Sequence, residues 1–332
     1  MTLQQRIDLL VRLGEYMQSE ETAWLETKER SSRENGWFIP EFVEMATQSI
    51  ARNFLERELL EEWTSNYHLP ALNTNPRRVG IVMAGNIPLV GFHDLLCVYI
   101  AGNIARIKPS SKDKVLIEHL VQTMASWDNR INEQVTFSDM LKNCDAYIAT
   151  GSNNTAGYFT YYFKKYPHII RRNRTSIAVL TGEEKNVDLS FLADDVYQYF
   201  GLGCRNVTKI FVPEGYDFVP LLTAFKKYDY LADHHKYKNN YDYNLAIHLL
   251  NNKIYMSNPS ILLIEDSAKF SPISQLNYEY YTDRETVIRS LTGDDSVQCI
   301  VGKAFVAFGK SQHPTLCDYA DGADTLKFNT SL

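Results

Sequence analysis

Three short apolar runs between residues 79 and 150 each end in small or polar residues, and no other feature of the chain constrains its fold as strongly. Val79 to Met83 leads into Ala84-Gly85-Asn86, Ile104 to Ile107 into Lys108-Pro109, and Ala146 to Ala149 into Thr150-Gly151-Ser152. Pro88 to about Ala101 reads as a largely apolar helix, Lys114 to Trp127 as a second helix, and Val135 to Phe137 as a further short strand. Strand, helix, strand with short connections is the βαβ unit of a parallel sheet. Ligands collect at the carboxyl ends of strands in doubly wound sheets, so this part reads as a nucleotide-binding α/β domain.

The flanking segments have a different texture. Residues 1–70 read as helices: Leu3, Ile7, Leu10, Val11 and Met17 recur at helical spacing, and a helix opening at Pro40 carries Phe42, Met45, Ala46, Ile50 and Phe54. Glu56, Glu58, Glu61 and Glu62 read as a solvated helix face. A helix from Thr155 to Tyr166 and a strand from Ser176 to Leu180 follow, then a helix from Leu189 to Phe200, a break at Gly201-Leu202-Gly203-Cys204 and a strand from Thr208 to Val212. Ile261 to Ile264 and Val297 to Val301 read as strands, with an aromatic, amide-rich loop from Asp233 to Asn244 before them. The expected organisation is a helical segment (1–70), a nucleotide-binding α/β domain (71–185), a second α/β domain carrying Cys204 (186–310) and a C-terminal segment (311–332).

Composition narrows the function classes. Forty acidic against 34 basic residues give a net charge of −6, and 45% hydrophobic with 22% charged residues is ordinary globular usage, which argues against a disordered chain or a dedicated nucleic-acid binder. The cluster of Lys164, Lys165, Arg171, Arg172 and Arg174, interleaved with tyrosines, reads as solvated surface. Arg6, Asp8, Arg12 and Glu15 interrupt any apolar run that could serve as a secretory core, which predicts a cytoplasmic protein. Val79 to Gly102 carries Asn86, Pro88, His93 and Asp94, costly inside lipid, so no membrane span is expected. Five scattered cysteines without a Cys-x-x-Cys pair argue against a disulfide framework or a zinc site, and His234-His235 reads as loop rather than metal ligand.

Among chemistry-bearing residues, Cys204 is the best nucleophile candidate, because Gly201 and Gly203 permit close backbone approach and Arg205 and Lys209 could favour a thiolate; the alternative is an inert, buried thiol. Asn86 could donate to an oxyanion or cap a helix beginning at Pro88. Lys108, Gly151 and Ser152 suit a dinucleotide, as a cation for ribose or phosphate and a turn at a helix N-terminus, although no G-x-G-x-x-G or P-loop is present. The alternative for Lys108 is an exposed lysine after a strand.

Five segments in order, AGNIPLVGFHDLL (84–96), GNIARIKPSSKD (102–113), ATGSNNTAGYF (149–159), YFGLGCRNVTKIFVPEG (199–215) and FGKSQHPTLCDYADGADTLKF (308–328), resemble the LuxC-type acyl-CoA reductases of the aldehyde dehydrogenase superfamily. The resemblance implies two α/β domains with parallel-type sheets and NADPH- or NADH-dependent reduction of a fatty acyl thioester to the aldehyde. It assigns Cys204 as acyl acceptor, Asn86 as oxyanion donor, Lys108 as the lysine at the adenosine ribose or its phosphate, and Gly151-Ser152 as the turn beside the pyrophosphate. Ser111 stands where NAD-preferring members often carry a glutamate, so NADPH is the expected cofactor, with NADH second. Ala178-Val179-Leu180-Thr181-Gly182 carries no acid where hydrolytic dehydrogenases place a water-activating glutamate, Glu183 and Glu184 following just beyond. The implied partners are an acyl-CoA or other acyl thioester and a second copy of the chain or acyl-transfer proteins. Aldehyde oxidation, acyl-phosphate reduction and a non-catalytic acyl-binding subunit are the alternative readings.

Overall fold

The computed structural model describes residues 1–332 and divides into two compact units, Met1–Asn173 with Pro314–Leu332, and Arg174–His313. In the first unit four helices, α1 (Leu3–Met17), α2 (Thr22–Glu34), α3 (Pro40–Phe54) and α4 (Arg57–Ser65), precede a sheet. Pro40 occupies the first turn of α3 as expected, where its missing N–H leaves no hydrogen bond unmade. The sheet is built from β1 (Arg78–Val82), α5 (Phe92–Ile100), β2 (Ile104–Lys108), α6 (Lys114–Trp127), α7 (Ile131–Gln134), β3 (Val135–Phe137), β4 (Ala146–Thr150), α8 (Asn153–Phe163) and β5 (His168–Arg171). All five strands are parallel, in the order β3-β2-β1-β4-β5. Their central strands are apolar runs because helices cover both faces of such a sheet.

Residues 1–70 are not a separate segment. Leu10, Leu13, Trp24 and Phe38 share one core with Val79 and Ile81 of β1, so the helical stripes read from sequence are buried on the sheet layer. His119 of α6 ties them down: its Nε2 meets the Tyr16 hydroxyl at 2.6 Å, its Nδ1 meets Thr27 Oγ1 at 3.0 Å, and its ring stacks on Trp24. Burial pushes the His119 pKa below its ordinary 6.5. A histidine with a depressed folded pKa contributes stability that is complete above the unfolded value and drains away as pH falls below it. The urea midpoint of native protein should therefore drop between pH 7 and pH 5 by more than that of His119→Gln, and parallel curves for the two proteins would rule the linkage out.

The second unit contains β6 (Thr175–Val179), α9 (Asn186–Tyr197), β7 (Val207–Pro213), α10 (Val219–Phe225), α11 (His235–Leu250), β8 (Tyr255–Ser257), β9 (Leu262–Glu265), β10 (Gln275–Tyr281), α12 (Arg284–Leu291) and β11 (Val297–Val301). The strand order is β11-β6-β7-β10-β9-β8, parallel except for the edge strand β8. The expected boundary near residue 185 moves to Arg174, because β6 hydrogen-bonds to β7 and β11 and belongs to the second sheet. Asp233 to Asn244, expected as loop, falls mostly in α11, whose buried face is Tyr237, Tyr241 and Asn244. His234 caps that helix, its Nδ1 accepting the Tyr237 N–H.

The C-terminal segment rejoins the first unit through α13 (Thr325–Thr330). Arg171, read from sequence as part of a solvated basic cluster, is instead buried there: its guanidinium holds both oxygens of Asp94 at 2.5 and 2.6 Å and the Thr325 hydroxyl at 2.7 Å. No helix is long and apolar enough to cross a membrane.

Candidate active site

The strand register of the first unit gathers the candidate cofactor residues on one edge. Val82 lies opposite Lys108 on one side and Ala149 on the other, so the chain leaving β1, β2 and β4 emerges at the same level. Those exits carry Asn86, Lys108 with Ser111, and Gly151-Ser152. The chain reverses its direction of travel across the sheet between β1 and β4, and such a switch point opens a crevice at the strand ends.

Asn86 is exposed on a turn and does not cap a helix, because α5 begins only at Phe92 with Gly91 before it. Leu89, with φ of +56°, turns the chain away from helical geometry there. Gly85 is needed for close approach: a Cβ on it would stand 2.5 Å from Ser110 Oγ and 3.2 Å from the Cβ of Asp113. Lys108 is exposed and makes no ion pair. Ser111, Lys112 and Lys114 are exposed, and α6 is preceded by Asp113, so Ser111 does not cap it. Ser152 caps α8, its Oγ accepting the Thr155 N–H at 3.3 Å, and Gly151 opens the turn before it.

In the second unit Cys204 sits half-buried on the turn that enters β7. Tyr199, Phe200 and Gly201 stand in succession at φ of 53°, 58° and 74°, a left-handed run that side-chain-bearing residues adopt only at a cost of about 1 kcal/mol or more each. Buried Asn206 holds it. Its Oδ1 accepts the Gly203 N–H at 2.8 Å, and its Nδ2 donates to the carbonyls of Gln198 at 2.8 Å and Asp195 at 3.1 Å. Ser176 Oγ donates to the Cys204 carbonyl at 3.1 Å and lies 3.0 Å from Cys299 Sγ. Burial pushes the thiols of Cys97, Cys144 and Cys317 up, away from thiolate.

One sequence expectation about charge changes. Lys209 does not assist Cys204: its buried ammonium is committed to the carbonyls of Asp266 and Ser267 and to Glu279 Oε2 at 2.5 Å. Glu184 is folded onto the turn after β6, one oxygen accepting the Thr181 N–H at 2.6 Å and the other the Gly182 N–H at 3.0 Å. That carboxylate is spent on backbone.

Asn206, Asp195 and Asp113 were missed by sequence reasoning. Asp195 lies on the apolar face of α9 among Leu189, Leu192 and Val196, and its carboxylate accepts the N–H groups of Gly309 and Ser311 at 2.7 and 2.9 Å. Burial raises its pKa to about 6 against those bonds. An acid on an otherwise apolar stripe was the available signal.

Comparison with known proteins agrees with this architecture. Residues 43–220, more than half of the chain, match the family described as acyl-CoA reductase (LuxC). No curated protein matches the sequence. Among solved structures, an NADP-dependent enzyme of E. coli superposes with a TM-score of 0.67 at 12% identity, covering 91% of this chain and 73% of its own. An aldehyde dehydrogenase of Mycobacterium tuberculosis complexed with NAD+ gives 0.63 at 12% identity, covering 87% and 70%. Aldehyde dehydrogenase 21 of Physcomitrella patens, in complex with its product succinate, gives 0.65 at 14% identity, covering 91% and 74%. The fold is thus that of the aldehyde dehydrogenases, and the chain belongs to the LuxC family of acyl-CoA reductases.

Proposed function

We propose that this protein reduces a fatty acyl thioester, such as an acyl-CoA, to the aldehyde through an acyl-enzyme on Cys204. The observation that carries the reading is the Cys204 turn: a thiol on a strained, internally pinned loop is positioned for chemistry rather than for packing. The Cys204 thiolate adds to the thioester carbonyl, forming a C–S bond; the tetrahedral oxyanion collapses and the CoA thiolate leaves. Asn86, through its amide, and the Cys204 backbone N–H are the oxyanion donors in this scheme, each worth on the order of 3 kcal/mol. After reduction, Cys204 departs as thiolate from the thiohemiacetal and the aldehyde is released.

The residues at the β1/β4 switch point fit a dinucleotide: an unpaired lysine, a Gly-Ser turn opening a helix, and two loops pressed together at Gly85. Bound there, NADPH or NADH supplies the hydride. Lys108 would meet the ribose or its phosphate, and Gly151-Ser152 the pyrophosphate. Both Glu184 oxygens are engaged by backbone N–H groups of the turn after β6, which supports reduction over hydrolysis, since water activated by a free carboxylate would destroy the acyl-enzyme. Incubation with acyl-CoA in the absence of nicotinamide should add one acyl group to Cys204 by intact mass. No adduct with acyl-CoA, combined with turnover of an acyl phosphate or an aldehyde, would replace this substrate class.

Cofactor choice follows from Ser111, a neutral side chain followed by Lys112 and Lys114, which leaves a 2′-phosphate without a repelling carboxylate at that position. NADPH should be preferred over NADH. Ser111→Glu should lower kcat/KM for NADPH by about tenfold or more and spare NADH, as a carboxylate placed beside a phosphate is a like-charge contact that disfavours binding. An unchanged ratio would show that Ser111 does not face the ribose.

A further inference from the structure

Asp113 is the one carboxylate of the first unit that is buried beside the exits of β1 and β2 and bonded across them. It precedes α6 yet makes no capping bond to that helix. Its Oδ2 instead accepts the N–H of Leu89 at 2.7 Å, on the loop that carries Asn86. Leu89 holds a left-handed conformation, so the residue Asp113 grips is the one at which the backbone departs most from its preferred geometry. The second oxygen, Oδ1, is buried without a partner.

The surroundings make this contact a joint between two loops. The Asp113 N–H donates to the Ser110 carbonyl at 3.1 Å and the Met83 N–H to the Lys108 carbonyl at 3.0 Å, so the turn after β2 is closed on itself and anchored to β1. Gly85 lies against Ser110 and Asp113 with no room for a side chain. Burial drives the Asp113 carboxyl well above the usual carboxylate range, with the Leu89 N–H pulling the other way. Protonation lifts the cost of an unpaired buried charge on Oδ1, and Oδ2 accepts from Leu89 in either form.

We infer that Asp113 is a positioning residue, which holds the Asn86 loop against the Lys108–Ser111 turn by fixing Leu89. It touches neither substrate nor cofactor and acts through the backbone of residues 85–89. The functional part of this inference rests on the oxyanion role proposed for Asn86; the structural part does not.

The test compares Asp113→Ala with Asp113→Asn, the latter a stand-in for the neutral acid that keeps an acceptor for Leu89. Hydrogen exchange of peptides spanning residues 84–91 in the full chain should accelerate at least tenfold in Asp113→Ala and stay near native in Asp113→Asn. In parallel, kcat for acyl-CoA reduction should fall about a hundredfold in Asp113→Ala, the scale of an ångström-level misplacement, with KM for acyl-CoA within threefold. Asp113→Asn should recover kcat to within threefold of native, and iodoacetamide should alkylate Cys204 at the native rate in both. Native exchange in Asp113→Ala overturns the clamp, as does Asp113→Asn behaving like Asp113→Ala; if Asp113→Ala does not fold, the exchange and kcat of Asp113→Asn decide. Were the native enzyme inactive on acyl-CoA, the proposed reaction would fail while the exchange arm still judged Asp113.

Discussion

Cys204→Ala should abolish acyl-CoA reduction, lowering kcat/KM by on the order of 10⁴-fold or more, the scale lost when a covalent nucleophile is removed. The substitution removes one half-buried sulfur from a turn whose hydrogen bonds run through Asn206, Ser176 and the backbone, so the fold should survive. Nicotinamide absorbance gives the rate, and intact mass after incubation with acyl-CoA gives the adduct, which should vanish together with the activity. Cys317→Ser serves as the control, because Cys317 lies at the surface and its thiolate is disfavoured by partial desolvation and by Asp318 and Asp324. Retained turnover in Cys204→Ala, or an adduct on another cysteine, would end the mechanism.

The second large effect belongs to Asn206. Replacing it by alanine leaves the Gly203 N–H and the carbonyls of Gln198 and Asp195 without their partner in a buried site, a loss of about 3 kcal/mol. The left-handed run at Tyr199, Phe200 and Gly201 makes matters worse, since strain persists only while its surroundings impose it. Asn206→Ala should therefore unfold at lower urea and, at temperatures where it is still folded, turn over about a hundredfold more slowly with Cys204 intact. Asn206→Asp keeps the acceptor for Gly203 and loses the donors, so it should be damaged as well. Native stability in Asn206→Ala would mean that the turn is held by something else.

What could be read from residue order alone was decided by how plainly each element buries apolar atoms. Strands β1 and β4 are nearly continuous apolar runs, and β2 and β7 keep aliphatic residues at their buried positions, so these strands and their polar ends were legible, and with them the places of Asn86, Lys108 and Gly151-Ser152. Helix α11 was not. Tyr237 and Tyr241 bury their rings while their hydroxyls donate to the carbonyls of Ser260 and Asn258, so a core stripe is spelled in residues that also suit a loop. Strand β10 is hidden the same way, its buried Asn277 donating to the carbonyls of Ala268 and Phe270. Lys209 misled for a related reason: its charge lies close to Cys204 in sequence, yet β-strand alternation sends it toward Glu279. The clamps at Asn206, Asp195 and Asp113 depend on partners distant in the chain or on backbone groups, which no local pattern advertises.

The return of residues 314–332 to the first unit has a consequence for synthesis. Leu316, Tyr319 and Leu326 complete a core that otherwise consists of residues from the first half of the chain, while every residue of the second unit has been made by His313. Domains usually fold in the order in which they leave the ribosome. Here the order is inverted: the apolar core of the unit translated first is completed only by residues 314–332, which are made after the whole of the second unit.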